Sequence, residues 1–510
     1  MGVNSTLAAT DLGPTEAPYI ANIRLGDGGL STDYNLSRLG TLSTENPNTI
    51  IHLAAFQKKA PGSSALLVRM MPNGWERWNG AAWLAPPITG AITGLSADRL
   101  CHAVMSDLLV MANGKDPLWS WDGVDADHIQ PLSADAPVAQ CICPLGQRLF
   151  AAGVKSGGAI DPYLVQWSTL GNIQDWTTIA NGAGNAELNP EGRSDGPDFV
   201  VSLSAQETAL VLYRQRTIVV GTLTGVGAQP LAFRTVVFGL GTNSPDTIVS
   251  LGHEYGDIFL GSDRNVYLFN GLGLSAPTLL SEPIRLQLQQ MVQNPAICCA
   301  AFDKRNLKYW LLVDNGAPLP TIAWILDVKE LMVNNRISWR MKTLTASGYA
   351  SIAYSLTQVG AIPVVNSVSA IVNTVNTIVD QYGITPTTEG IVLGDGAGGV
   401  WYPDAGTSII GDFQTRMLGK PDRNTGLDRV YLTCQSNLGG VVELSFSTDG
   451  GQTWQNAQVI SVPAGPRAKP VSGWFSTVVG TWQFRIRILD GFVTVSELRT
   501  STRDAGPSIT

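Results

Sequence analysis

The stretch 447-STDGGQTW-454 holds the residues whose types and spacing most suggest chemistry. Ser447, Asp449, Gly451, Thr453 and Trp454 fit the pattern Ser-x-Asp-x-Gly-x-Thr-Trp, known as the Asp box. Its chemistry can be read in two ways. In a hairpin the Asp449 carboxylate accepts N–H bonds across the turn, Gly451 takes a conformation that residues with a Cβ resist, and Trp454 packs beneath. A glycoside-cleaving enzyme would instead need, somewhere in the chain, two carboxylates about 5–10 Å apart.

Sialidases carry this box in several blades, away from the substrate. Their chemistry needs an arginine cluster, a tyrosine nucleophile with its glutamate, and an aspartic acid. Here the box occurs once, and no arginine-bearing motif recurs at a repeating phase. Glu254 and Asp257 read as turn-side charges. The glycine-rich 394-GDGAGG-399 lies between 391-IVL-393 and 400-VWY-402, the phase of a hairpin turn. There is no GxSxG, HExxH or GxxxxGK[ST]. The box is therefore expected to be a structural turn, with no catalytic residue and no cofactor.

Cys101, Cys141, Cys143, Cys298, Cys299 and Cys434 make no CxxC pair, and His52, His102, His128 and His253 are scattered. Zinc needs clustered ligands, so buried free thiols are expected. The 510 residues are too many for one ordinary core. With 15% charged residues, 54 Gly and 29 Pro, the chain suits many short strands rather than long helices. A net charge of −8 leaves little to grip nucleic acid by counterion release, though a duplex that slides past is compatible with it. The opening MGVNSTLAATDLGP has neither a basic nor an apolar region, so it is not read as a signal peptide, and its myristoylation-like match is short enough to arise by chance. With no apolar run of about 18 residues, stable membrane insertion is not expected.

The elements that position these residues come from a repeat. The segments 75-WERWNG-80, 118-LWSWDG-123 and 266-VYLFNG-271 each run an aromatic-rich strand into Asn-Gly or Asp-Gly, after an apolar strand and a turn. Weaker relatives lie at 148–167, 208–225, 308–327 and 390–406. Gly80 and Gly123 are 43 residues apart, and Gly123 and Gly271 are 148 apart, close to three such units. A multi-strand unit of about 40–50 residues is the signature of a β-propeller blade; a plain sandwich or stacked hairpins is the competing arrangement. The fold class expected is all-β: a degenerate propeller of six or seven blades over 51–406, then a C-terminal antiparallel β-sandwich-like domain over 407–500 holding the single Asp box. Residues 1–50 would be an N-terminal arm and ring-closing strand, and 501–510 a tail. The stretch 356–388 interrupts the pattern with an excursion whose Val364, Val368, Ile371, Val375 and Ile378 form a heptad-like stripe, yet whose Val, Ile, Asn, Thr and Ser disfavour helix. It reads either as an over-long loop or as an intersubunit or channel-facing element.

Three segments, 257-DIFLGSDRNVYLFNGLG-273 with 281-SEPIRLQLQQ-290, 167-WSTLGNIQDWTT-178, and 428-DRVYLTCQSNLGGVVELSFSTDGGQTW-454, together resemble the tail nozzle, or tail hub, propeller proteins of short-tailed (podoviral) phages. The resemblance spans about 51–490. It implies a structural virion protein assembled in the host cytoplasm: a homo-oligomeric ring, expected to be a hexamer, below the portal and adaptor proteins. Double-stranded DNA would pass through without specific binding, and fibres or spikes would attach outside. An acidic wall would suit such a conduit, with 366–377, Asp395 and Asp404 as candidates to face it. The competing reading is a propeller-type carbohydrate-binding or glycoside-cleaving, sialidase-like protein.

Overall fold

The computed structural model describes residues 2–8, 10–13, 16–26, 29–44, 48–58, 65–95, 98–124, 128–188, 196–227, 229–252, 255–271, 276–344, 348–355, 390–403, 407–419 and 423–507. It is nearly all β, with many small antiparallel sheets. The excursion at 356–388 and Asp404 lie outside the described residues.

Seven successive groups of four antiparallel strands make up most of the chain. They are His52–Phe56 to Trp83–Leu84, Cys101–Met105 to Gln130–Pro131, Ala139–Leu145 to Gly184–Glu187, Val200–Gln206 to Leu231–Phe238, Val249–Ser250 to Thr278–Leu279, Cys299–Asp303 to Trp339–Thr343, and Tyr349–Ser355 to Val400–Tyr402. The last group has only three strands of its own. Its fourth is Ser37–Leu39 from the N-terminal segment, paired antiparallel with Val400–Tyr402.

The seven repeated hairpins read from the sequence are the second and third strands of these seven sheets. Gly123 and Gly271 lie in the second and fifth sheets, three steps apart, as their separation implied. Local chemistry explains the turns. Asn79 Oδ1 accepts from the backbone N–H groups of Ala81 and Ala82 at 2.9 and 2.7 Å, and Gly80 follows it at φ 97°. Asp122 Oδ1 likewise accepts from Val124 N at 3.0 Å beside Gly123 at φ 83°.

Each sheet buries both faces against its neighbours, which explains the near-continuous apolar second strands such as 109-LVMA-112 and 209-ALVLY-213. One buried cluster joins Phe56, Val68 and Trp75 of the first sheet to Leu109, Trp119 and Trp121 of the second. Others join the second to the third, the third to the fourth, the fourth to the fifth, the fifth to the sixth and the sixth to the seventh. A further cluster brings Val392 and Val400 of the seventh sheet onto Leu53, Leu67 and Trp78 of the first. Packing thus runs in chain order and returns to its start.

The C-terminal part is two sheets packed face to face. One extends the sixth sheet through Tyr19–Ala21, Gly411–Gln414, Thr481–Asp490, Gly440–Ser447 and Gln455–Val462. The other has the order Gly465–Val479, Arg423–Ser436, Thr494–Pro507, Gly29–Thr32, Ile23–Gly26. Leu427, Val430, Leu432 and Phe475 of one face Val442, Leu444, Phe446, Phe484 and Ile486 of the other, all buried. Two expected boundaries change. Residues 501–510 are not a separate tail through Pro507, because Thr494–Pro507 pairs along Arg423–Ser436. The N-terminal segment is more than an arm with one closing strand: besides Ser37–Leu39, its Tyr19–Ala21, Ile23–Gly26 and Gly29–Thr32 complete the two C-terminal sheets.

Candidate functional site

The Asp box closes the hairpin between Gly440–Ser447 and Gln455–Val462. Ser447 Oγ donates to Asp449 Oδ1 at 2.6 Å and accepts from Gly451 N at 2.9 Å. Thr453 donates its N–H to Asp449 Oδ1 at 3.0 Å and its hydroxyl to Oδ2 at 2.5 Å. Gly450 and Gly451 take φ 74° and 89°. Hydrogen bonds from the Ser447 and Thr453 side chains hold the Asp449 carboxyl well below the usual carboxylate range. Trp454 lies half-buried against Gly451 and beneath the Arg485 guanidinium, 5.7 Å from its ring centre. Arg485 is itself bound to Asp412. All five predicted residues therefore come together, and both Asp449 oxygens are used within the turn.

A cavity of about 1060 Å³ lies elsewhere. The first strands of all seven sheets line it, from Ile51–Leu53 and Leu100–His102 round to Ala350–Tyr354. His52 and His102, from the first and second sheets, meet on its wall with Nε2 and Nδ1 2.6 Å apart. Burial pushes His102 down to about 4. Burial first, then the neighbouring His102 and Arg99, pushes His52 well below its ordinary value. Arg99, just before the second sheet, forms an ion pair with Asp246, just before the fifth. Both residues line the cavity, so the pair links the second and fifth sheets within it. Cys101, Cys141, Cys143 and Cys299 also line it as free thiols, pushed up by burial. Thiols so raised are poor nucleophiles. Among the described residues no group of three or more His, Cys, Asp or Glu could hold a metal ion, and no helix is long and apolar enough to cross a membrane.

Other charged groups fasten joints. Asp33, fully buried, receives Arg340 Nη1 at 2.5 Å, Arg24 Nε at 2.9 Å and Lys342 Nζ at 3.1 Å. Burial alone would raise its carboxyl, but Arg340, Lys342 and Arg24 outweigh this and hold it far below the usual range. Lys342 Nζ also donates to Tyr34 O and Pro403 O, at 2.9 and 2.6 Å, tying the sixth sheet to the N-terminal segment and to the end of the seventh. Buried Arg69 pairs with Glu76 within the first sheet, and its Nη1 donates to Thr41 O and Gly398 O, both at 2.9 Å.

Asp257 is not the turn-side charge expected from its neighbours. It is buried, its pKa is raised by that burial, and it accepts from Gln206 Nε2 at 2.7 Å and Tyr213 Oη at 2.9 Å across the joint between the fourth and fifth sheets. Glu254 lies outside the described residues. Asp395, expected on a conduit wall, is also buried: it accepts from Gly399 N at 2.6 Å and Trp401 Nε1 at 2.7 Å inside the 394–399 turn.

No family model matches the sequence, and no curated protein matches it. Among solved structures it is similar to the extracellular domain of a hybrid two-component system from B. thetaiotaomicron, at 10% identity and TM-score 0.44, over 87% of this chain and 47% of that one. It is similar to BBS1N in complex with ARL6DN, at 9% and 0.42, over 73% and 96%. It is also similar to PorZ, a surface component of the type-IX secretion system of Porphyromonas gingivalis, at 11% and 0.37, over 87% and 48%. The chain spans about half the length of the first and third. These likenesses assign neither activity nor partner.

Proposed function

We propose that the seven sheets are the blades of a β-propeller closed by Ser37–Leu39, and that the chain is a structural subunit of the tail nozzle, or hub, type. In this reading several copies, six by the resemblance, form a ring below portal and adaptor proteins in a virion. Double-stranded DNA passes along the ring axis, and fibres attach outside. The observation that carries the structural reading is where the charged groups are spent. Asp33, Arg69, Arg340, Lys342 and Asp257 fasten one element to another, and Asp449 is consumed by its own turn. A ring subunit that must hold its shape under load needs such pins at its joints. With the Arg99–Asp246 pair set inside the cavity of one chain, the DNA path in this reading runs between copies rather than through a single propeller.

The mass of the full chain in solution, alone and with its adaptor ring, tests this reading. An assembly of about six copies is expected. A chain that stays monomeric even with the adaptor would end it.

A second reading, a carbohydrate-binding propeller, is favoured by the cavity wall, where His52, His102, Asn113, Gln140 and Gln215 gather polar groups. Binding of a glycan panel that is lost in His102→Ala would favour it.

A further inference from the structure

The outer face of the strands Arg423–Ser436 and Gly465–Val479 carries the most exposed tryptophan among the described residues. Trp474 is 61% exposed and Val478 55%, although both stand on a regular strand whose alternate residues Gly473 and Phe475 are buried. Arg429 lies opposite Trp474 in the register. Its guanidinium sits over the Trp474 ring at 4.3 Å and over the Tyr431 ring at 5.2 Å, and its Nε donates to Ser472 Oγ at 3.0 Å. Among the described residues no carboxylate pairs with it, whereas its neighbours Arg499 and Arg503 pair with Glu497 and Asp428. The strand edge is secured as well, because Gln458 Oε1 accepts from Trp474 N at 2.8 Å. An exposed Trp and Tyr with a half-buried Arg already held in place is the composition of an interface hot spot. Its missing element is a carboxylate.

We propose that this face binds a second copy of this chain, through an acidic and partly apolar surface of that copy's seven-sheet part; this rests on the ring reading above. Charge complementarity selects the occupant. The strands Arg423–Ser436, Gly465–Val479 and Thr494–Pro507 carry six Lys and Arg against three Asp and Glu, in a chain with 33 against 41. The rest of the chain therefore holds the whole acidic excess and more. A basic patch at one end meeting an acidic surface on the next copy is a heterologous contact, the kind that closes rings. Pro466, Lys469 and Pro470 on the edge strand oppose simple strand-to-strand addition. The contact is therefore made by the face rather than by the edge.

The test compares the full-length wild type with Trp474→Ala, Arg429→Glu and Arg429→Lys by sedimentation velocity over a concentration series, with thermal melting of each. Melting should be unchanged, since these side chains reach solvent. The concentration for half-assembly should rise about tenfold or more for Trp474→Ala and Arg429→Glu, and less for Arg429→Lys, which keeps the charge but not the planar stack. If all variants assemble as the wild type does, this interface is wrong while the ring reading stands. A wild type that never assembles, alone or with the adaptor, overturns both. Unchanged assembly with a glycan bound by wild type and lost in Trp474→Ala would make the face a sugar platform and overturn the proposal.

Discussion

The seven-sheet part and the two-sheet C-terminal part solve the same problem, burying a sheet, in different ways. In the first, each sheet is small and covered on both faces, and buried polar contacts such as Arg69–Gly398 and Gln206–Asp257–Tyr213 pin some of the joints. In the second, strands of 14 and 15 residues make one large interface, and its outer face carries exposed Trp474 and Val478. The difference teaches where shape is held and where contact is made. Small units carry polar pins at several joints, while a long sheet can leave a face for a partner.

Asp33→Ala should be the most damaging way to break this contrast. It strands Arg340 and Lys342 in the interior, and losing one member of a buried ionic cluster costs about 3–5 kcal/mol. Calorimetry should show a large fall in unfolding temperature; an unchanged melt would mean the cluster does not hold the parts together. Tyr213→Phe should cost about 1–2 kcal/mol by removing a hydrogen bond from buried Asp257, measured by denaturant titration.

The histidine pair gives a pH signature. In the unfolded chain both imidazoles take up protons below about 6.5, whereas burial pushes the folded His102 down to about 4 and His52 well below its ordinary value. The unfolded state binds more protons in that window, so stability should fall as pH drops from about 7 to 4. His102→Gln should flatten the slope in thermal melts across that range. An equally steep slope in the variant would place its cause elsewhere.

The smallest effect is expected from Asp449→Ala. Its turn is solvent-exposed, so only the C-terminal transition should shift, and modestly. Loss of sugar cleavage at an unchanged melting temperature would instead revive the glycosidase reading.

The hairpins were legible in the sequence because second and third strands concentrate apolar and aromatic residues, and Asn-Gly or Asp-Gly turns follow the third strands of the first, second and fifth sheets. First strands such as 101-CHAVM-105 and 299-CAAFD-303 carry small residues and weak alternation, and several fourth strands are two residues long, so neither announces itself. The Asp box was legible because all its bonds are local. Asp33, Arg69 and Asp257 were not, because their roles depend on partners far along the chain: Asp33 and Arg340 are 307 residues apart. For the same reason the return of Tyr19–Ala21 and Gly29–Thr32 into the C-terminal sheets has no local signal.

Imaging the assembled full-length chain by electron microscopy tests the central proposal most directly. The account predicts a closed ring of about six copies around an axial passage between copies, with the Arg99–Asp246 pair inside each copy's own seven-sheet cavity. A monomer, an open filament, or a ring whose axial surface is strongly basic would contradict it.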